Sequence, residues 1–229
     1  MSLWDFLFPP TCPHCGAEVV SQGDWCESCF TELLHIRHVP NKFLHYLDDV
    51  CILADYKGGM KSMIYDVKFN EKKEQSKGAA PFLVSYNFYM HRKFNNDTVN
   101  SHVFDYIVPV PSGAAKRKQR GYNQVDLFFK TWADALHHMY PTYFEWLDCL
   151  YKFDTERDMW SLTYKERHAN IDGAFMMHCD YDDVNLEGKR ILIVDDIYTT
   201  GATLEAVAKI LRLKRPKKIE ALTLASGSF

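Results

Sequence analysis

The sequence predicts an α/β domain, a mostly parallel sheet flanked by helices, preceded by a small zinc-knuckle module. Three observations carry that expectation. Short apolar runs alternate with helix-period stretches from about residue 50 onward. One run, Ile191-Leu192-Ile193-Val194, ends in Asp195-Asp196 and a Thr/Gly loop that opens a helix. Four of the seven cysteines lie between positions 12 and 29. A chain of 229 residues is about one and a half domains, so a strap-and-knuckle module over 1–38 and a larger domain over 39–229 are expected. With 47% hydrophobic and 25% charged residues, pervasive disorder is excluded. A net charge of −3 excludes a uniformly basic nucleic-acid binder and leaves only local patches.

The opening Met1-Ser2-Leu3-Trp4-Asp5-Phe6-Leu7-Phe8 is apolar but has no basic region, and it runs into Pro9-Pro10. A packed strap is expected there, not a signal peptide. No run reaches the ~18 apolar residues of a membrane helix, so the expectation is a cytoplasmic chain with no membrane partner.

Cys12-Pro13-His14-Cys15 and Cys26-Glu27-Ser28-Cys29 are two C-x₂-C knuckles. Folded together they offer four thiolates to a structural Zn²⁺. Gly16 supplies the positive φ such a turn favours. Paired disulfides fit poorly without an export signal, and a redox C-x-x-C needs only one pair. His14, inside the first knuckle, could replace a thiolate, but an exposed His is the favoured expectation. Cys51, Cys149 and Cys179 read as small buried hydrophobes.

Val39-Pro40-Asn41 reads as a linker. A strand over Val50–Tyr56 and a turn at Lys57-Gly58-Gly59 follow, then a helix with Met60, Met63, Ile64 and Val67 on one face. A further helical stretch runs to about Met90, broken at Asn95-Asn96-Asp97. Tyr106–Pro111 is a short strand, followed by a basic turn over Ser112–Gly121. The next helix carries Val125, Phe128, Phe129, Trp132, Leu136 and Met139 on one stripe. Trp146–Phe153 reads as a strand, as do Lys189–Asp195 and Ile219–Ala225. A helix over Ala202–Leu213 buries Leu204, Val207, Ala208 and Leu211.

The segment from Ile191 to Thr203 carries the chemistry. A buried parallel strand delivers two acids at its carboxyl end, where open α/β sheets bind ligands. The loop Thr199-Thr200-Gly201-Ala202-Thr203 opens a helix, whose N–H groups and hydroxyls suit a phosphate. The acids suit vicinal sugar hydroxyls or a Mg²⁺ shell. A Walker-B reading lacks its GxxxxGK[ST] partner, and a receiver domain needs far more chain than the 33 residues after Asp196.

This segment resembles the phosphoribosyl pyrophosphate (PRPP) signature of type I phosphoribosyltransferases. Nearly the whole chain is similar to the ComF family of competence-associated proteins. The likeness rests on the four cysteines, the segment from Asp55-Tyr56 to Lys68-Phe69, and Val108-Pro109-Val110-Pro111. It also rests on Arg120-Gly121-Tyr122-Asn123-Gln124 and on Arg167-His168-Ala169-Asn170-Ile171-Asp172-Gly173-Ala174-Phe175. The resemblance implies a type I phosphoribosyltransferase fold in which Asp195 and Asp196 hold the ribose 2′ and 3′ hydroxyls. Thr199, Thr200, Gly201, Ala202 and Thr203 would cradle the 5′-phosphate, and Arg120 would meet the pyrophosphate. Arg167, implied as catalytic with the two acids, and Asn170 would lie on a loop over the site. The family's usual Gln eight residues before that Arg is Met159 here, between Asp158 and Trp160. Mg²⁺ is implied as the companion of PRPP.

No glutaminase nucleophile stands out, so an amidophosphoribosyltransferase is not expected, and the acceptor is not legible. Lys116, Arg117, Lys118 and Arg120 form one basic cluster, and Lys214, Arg215, Lys217 and Lys218 another at a helix end. The first fits a polyanionic ligand or a nucleic-acid backbone. The ComF likeness implies natural transformation, with single-stranded DNA and other competence proteins as partners. Two readings follow: a PRPP-dependent transferase, or a non-catalytic protein that binds PRPP and single-stranded DNA.

Overall fold

A computed structural model describes residues 9–94, 104–139, 144–153 and 174–227. Helix α1 (Glu27–Leu33) runs directly into strand β1 (Leu34–His38), which returns as β2 (Asp49–Asp55). Helices α2 (Gly58–Phe69) and α3 (Ala80–Phe94) follow, separated by a 3₁₀ turn over Lys73–Ala79. Strand β3 (Tyr106–Pro109) leads through α4 (Ala114–Arg120) and α5 (Gln124–Met139) to β4 (Glu145–Trp146). Strands β5 (Leu150–Lys152) and β6 (Phe175–Met177) form a separate antiparallel pair. The chain closes with β7 (Arg190–Tyr198), α6 (Ala202–Arg212) and β8 (Lys218–Ser226).

The main sheet has the order β1-β2-β8-β7-β3-β4, parallel except for β1. This is the predicted α/β architecture. Its apolar strands alternate between two cores because successive side chains leave a strand on opposite faces. Cys51, Leu53, Leu192, Val194, Leu222 and Leu224 pack under α2, α3 and α5. Val50, Ile52, Ile191, Ile193, Ile219 and Ala221 pack under α6. From β7 the chain steps through α6 to β8, and from β3 it steps the other way, through α5 to β4. The order therefore reverses between β7 and β3, where α/β sheets open a crevice at their carboxyl ends.

Several local expectations change. Val39-Pro40-Asn41 is not a linker: Val39 is buried and its N–H bonds the Val50 carbonyl at 3.0 Å, closing the β1–β2 hairpin. The basic turn is a short helix, α4, stopped by Gly121 at φ +75°. Trp146–Phe153 is two strands in two sheets, because buried Leu147 and Cys149 turn the chain between them. Cys51 and Cys149 are buried as expected, but Cys179 is exposed in a 3₁₀ turn.

Candidate functional site

Strand β7 outruns its neighbour. It pairs with β8 as far as Tyr198 opposite Ser226, but with β3 only to Val194 opposite Pro109. Asp195 and Asp196 therefore lie inside β7, just past the end of β3, rather than after the strand. By the alternation of the strand, Asp195 follows Ile193 toward the α6 face and Asp196 follows Val194 toward the α2 face.

Asp196 is 2% exposed. Lys68, at the carboxyl end of α2, donates to its Oδ1 at 2.8 Å. Its Oδ2 is buried with no hydrogen-bond partner among the described residues. A bare buried carboxylate oxygen is costly, so it marks a position that a ligand donor or cation would satisfy. Asp195 accepts from the Asp196 N–H at 2.9 Å. Burial, and then the charge of Asp196, push the Asp195 carboxyl up to about 7, against the opposite pull of Lys68, that N–H and Lys152.

The Thr/Gly loop follows directly. Gly201 has φ +81°, and a Cβ there would lie 2.7 Å from the Tyr198 hydroxyl oxygen, so only glycine fits the approach. The loop opens α6, whose first N–H groups have no intrahelical partner. The Ala202 N–H lies 3.4 Å from Thr200 Oγ1, and Thr199 and Thr200 are exposed at this end.

Beside the carboxyl end of β3, between α4 and β5, a cleft of about 350 Å³ is lined by Pro111, Ser112, Arg117, Lys118, Tyr151 and Lys152, among others. Ser112 Oγ is buried there without a partner among the described residues. Asn123, 1% exposed, fixes the loop above it: its Oδ1 accepts from the Ser112 N–H at 3.3 Å, and its Nδ2 donates to the Val110 carbonyl at 3.2 Å. Tyr122 ties the same turn to α2 through a 2.7 Å bond to the Val67 carbonyl. Arg120 donates to Gln124 Oε1 at 3.1 Å and lies over the Phe69 ring at 5.3 Å, next to Lys68 in sequence.

The structure thus gathers Asp195, Asp196 and Thr199–Thr203 at one sheet edge and brings Arg120 against the end of α2. Arg167, Asn170 and Met159 lie outside the described residues. Sequence reasoning missed Lys68, Lys152 and Ser112 as site residues. Lys68 had one signal, its place beside buried Val67 at the end of an amphipathic helix.

At the other end of the chain, the Sγ atoms of Cys12, Cys15, Cys26 and Cys29 all lie within 4.8 Å of one another. The Cys15–Cys26 separation of 3.7 Å is close to the edge of an S₄ tetrahedron built on Zn–S bonds of about 2.3 Å. The donor set and spacing fit structural Zn²⁺. Gly16 has the anticipated positive φ, +77°. His14 corrects its expectation. It is only partly exposed, because its ring packs on the start of α2 and its Nδ1 accepts from the Gly59 N–H at 3.0 Å.

Comparison with known proteins agrees with this geometry. Residues 172–228 match the phosphoribosyl transferase domain, and residues 3–40 match the double zinc ribbon domain. Fold and site together define a phosphoribosyltransferase-like α/β domain carrying an N-terminal zinc ribbon. The chain is 26% identical to Competence protein F of Haemophilus influenzae, over 94% of this chain and 84% of that one. It is 23% identical to DNA utilization protein YhgH of Escherichia coli K12, over 87% and 77%. It is 28% identical to Competence protein ComFC of Bacillus subtilis, over 46% and 37%. Over most of its length the chain is thus similar to the ComF-type competence and DNA-utilization proteins.

Proposed function

We propose that the chain binds PRPP, with Mg²⁺, across the carboxyl ends of β3 and β7. The observation that carries this reading is the convergence of Lys68 on buried Asp196, beside Asp195 and the Thr/Gly loop, at the crevice where the strand order reverses. Asp195 and Asp196 hold the ribose hydroxyls, and Thr199, Thr200, Gly201, Ala202 and Thr203 receive the 5′-phosphate. Arg120, with Lys118 and Lys152 of the adjoining cleft, faces the pyrophosphate, and Arg167 acts as a catalytic residue with the two acids. The carboxylate oxygens are hard donors that fit Mg²⁺. When bound, that ion supplies charge neutralisation at the pyrophosphate.

Titration calorimetry with PRPP and Mg²⁺ tests the reading. Wild type binds, and Asp195→Asn and Asp196→Asn bind much more weakly; equal binding by all three contradicts it. Turnover is a separate step: cleavage of the C1–pyrophosphate bond, with attack on C1 by an acceptor nucleophile. Pyrophosphate release in a screen of bases, amines and oligonucleotides identifies a transferase. Its absence, with PRPP binding intact, identifies a ligand-binding accessory protein.

The names of the relatives, a competence protein and a DNA utilization protein, support a role in DNA uptake or utilization, and other competence proteins are the partners that role implies. The exposed residues Lys116, Arg117 and Lys118 of α4 favour a polyanion such as single-stranded DNA near the same edge. Binding of an oligonucleotide that weakens with salt, and is lost when these residues and Arg120 are neutralised, supports that role. No binding at low salt removes it. No helix among the described residues is long and apolar enough to cross a membrane.

A further inference from the structure

The zinc ribbon and the sheet-edge acids touch opposite ends of one helix. At the amino end of α2, His14, from inside the first knuckle, accepts the Gly59 N–H at 3.0 Å. Because Nδ1 accepts that N–H it carries no proton, which puts the ring proton on Nε2, 4.0 Å from Glu32. The fit is steric as well as polar. A Cβ on Gly58 would lie 2.1 Å from His14 Cε1, and one on Gly59 would lie 2.7 Å from the backbone of Pro13 and His14. The Lys57-Gly58-Gly59 start of the helix is therefore shaped to receive the knuckle.

At the carboxyl end, Lys68 donates to Asp196 at 2.8 Å and the Val67 carbonyl accepts from Tyr122. Burial of Met60, Met63, Ile64 and Val67 holds α2 against the sheet. Apolar contact is non-directional, so it fixes the helix's axial position less sharply than directional bonds at its ends. One residue along a helix is about 1.5 Å, enough to break a 2.8 Å ion pair.

We propose that His14 is a positioning residue for the ribose-phosphate site. Seated in the zinc-closed knuckle, it sets the axial position of α2 and so the grip of Lys68 on Asp196. The consequence for PRPP rests on the reading above; the positioning of Lys68 does not. Loss of zinc, or of the His14 acceptor, loosens Lys68 from Asp196 at the far end of the helix.

The test compares wild type, His14→Leu, which removes the acceptor, and His14→Asn, whose Oδ1 replaces Nδ1. Competitive acylation read by mass spectrometry reports Lys68 against exposed Lys61 on the same helix, with no ligand required. Expected is a roughly threefold to tenfold rise in Lys68 labelling in His14→Leu at full zinc content, the size of one lost hydrogen bond. His14→Asn returns to wild type, and a chelator reproduces the rise in the wild-type chain. Unchanged Lys68 labelling in zinc-loaded His14→Leu overturns the proposal, as does a rise that His14→Asn fails to reverse. If His14→Leu does not fold, the chelator titration decides: Lys68 labelling that stays flat as zinc leaves also overturns it. PRPP affinity falls in parallel with Lys68 labelling. A wild type that does not bind PRPP, with the labelling pattern intact, refutes the ligand reading and leaves the positioning role standing.

Discussion

Asp196 on β7 and Glu220 on β8 are both buried carboxylates, 2% and 6% exposed, that a lysine holds through one oxygen. The second oxygen of each is buried and bare among the described residues. Both lie on the sheet face that carries Leu192 and Leu222, and Leu192 stands directly opposite Glu220. The two acids are thus separated by about 13 Å of strand. What differs is how each is surrounded. Lys218 is two residues from Glu220 on the same strand, and Glu220 is flanked by β2 on one side and β7 on the other. Lys68 reaches Asp196 across 128 residues of sequence, beyond the end of β3, with a second acid and a glycine loop adjoining. A buried charge with a local partner is compatible with a closed sheet. Long-range convergence on an unpaired strand edge is what marks a site.

Removing the lysines challenges this contrast with the largest effects. Lys68→Met and Lys218→Met each strand a buried carboxylate and should each cost about 3 kcal/mol in urea unfolding. Only Lys68→Met should weaken PRPP binding, by more than tenfold in calorimetry. Equal losses of affinity in both variants would erase the distinction.

Glycine substitutions sharpen the contrast at smaller cost. Gly188 has φ +71° with open space around it, so Gly188→Ala should cost only the left-handed conformation, about 1 kcal/mol. Gly201→Ala adds a clash with Tyr198 and should cost roughly 2–3 kcal/mol. It should also lower PRPP affinity, which Gly188→Ala should not. Matched thermal melts and titrations check both.

A pH dependence sharpens the contrast further. The Asp195 carboxyl sits at about 7 against an ordinary 3.8, so the folded chain holds this proton more tightly than the unfolded one. Its contribution to stability is therefore greatest below about pH 4 and declines as pH rises to about 7. Asp195→Asn should raise Tm at pH 8 and leave it nearly unchanged near pH 4. PRPP affinity of the wild type should rise as pH passes 7 and Asp195 ionises. A Tm gain that is the same at both pH values would deny the raised value.

Much of this was legible in the sequence. Ile191-Leu192-Ile193-Val194 and Leu204, Val207, Ala208 and Leu211 announced a buried strand and its covering helix, because each is a local periodicity. The four cysteines announced the zinc site by spacing. Lys68 and His14 were not legible as partners of Asp196 and Gly59, since their roles arise from contacts spanning 128 and 45 residues. The split of Trp146–Phe153 was equally hidden, because strand choice depends on which sheet edge is vacant. That the acids lie within β7 follows from β3 being short, a property of a neighbour and not of the strand itself.

The most direct test of the central claim is a matched titration of Asp196→Asn and Glu220→Gln with PRPP and Mg²⁺. Each substitution neutralises one lysine-held buried carboxylate of nearly the same burial. The account predicts an affinity loss of roughly 10- to 100-fold for Asp196→Asn, the loss of a charged hydrogen bond, and wild-type affinity for Glu220→Gln. Wild-type affinity in Asp196→Asn, or an equal loss in both, would contradict it.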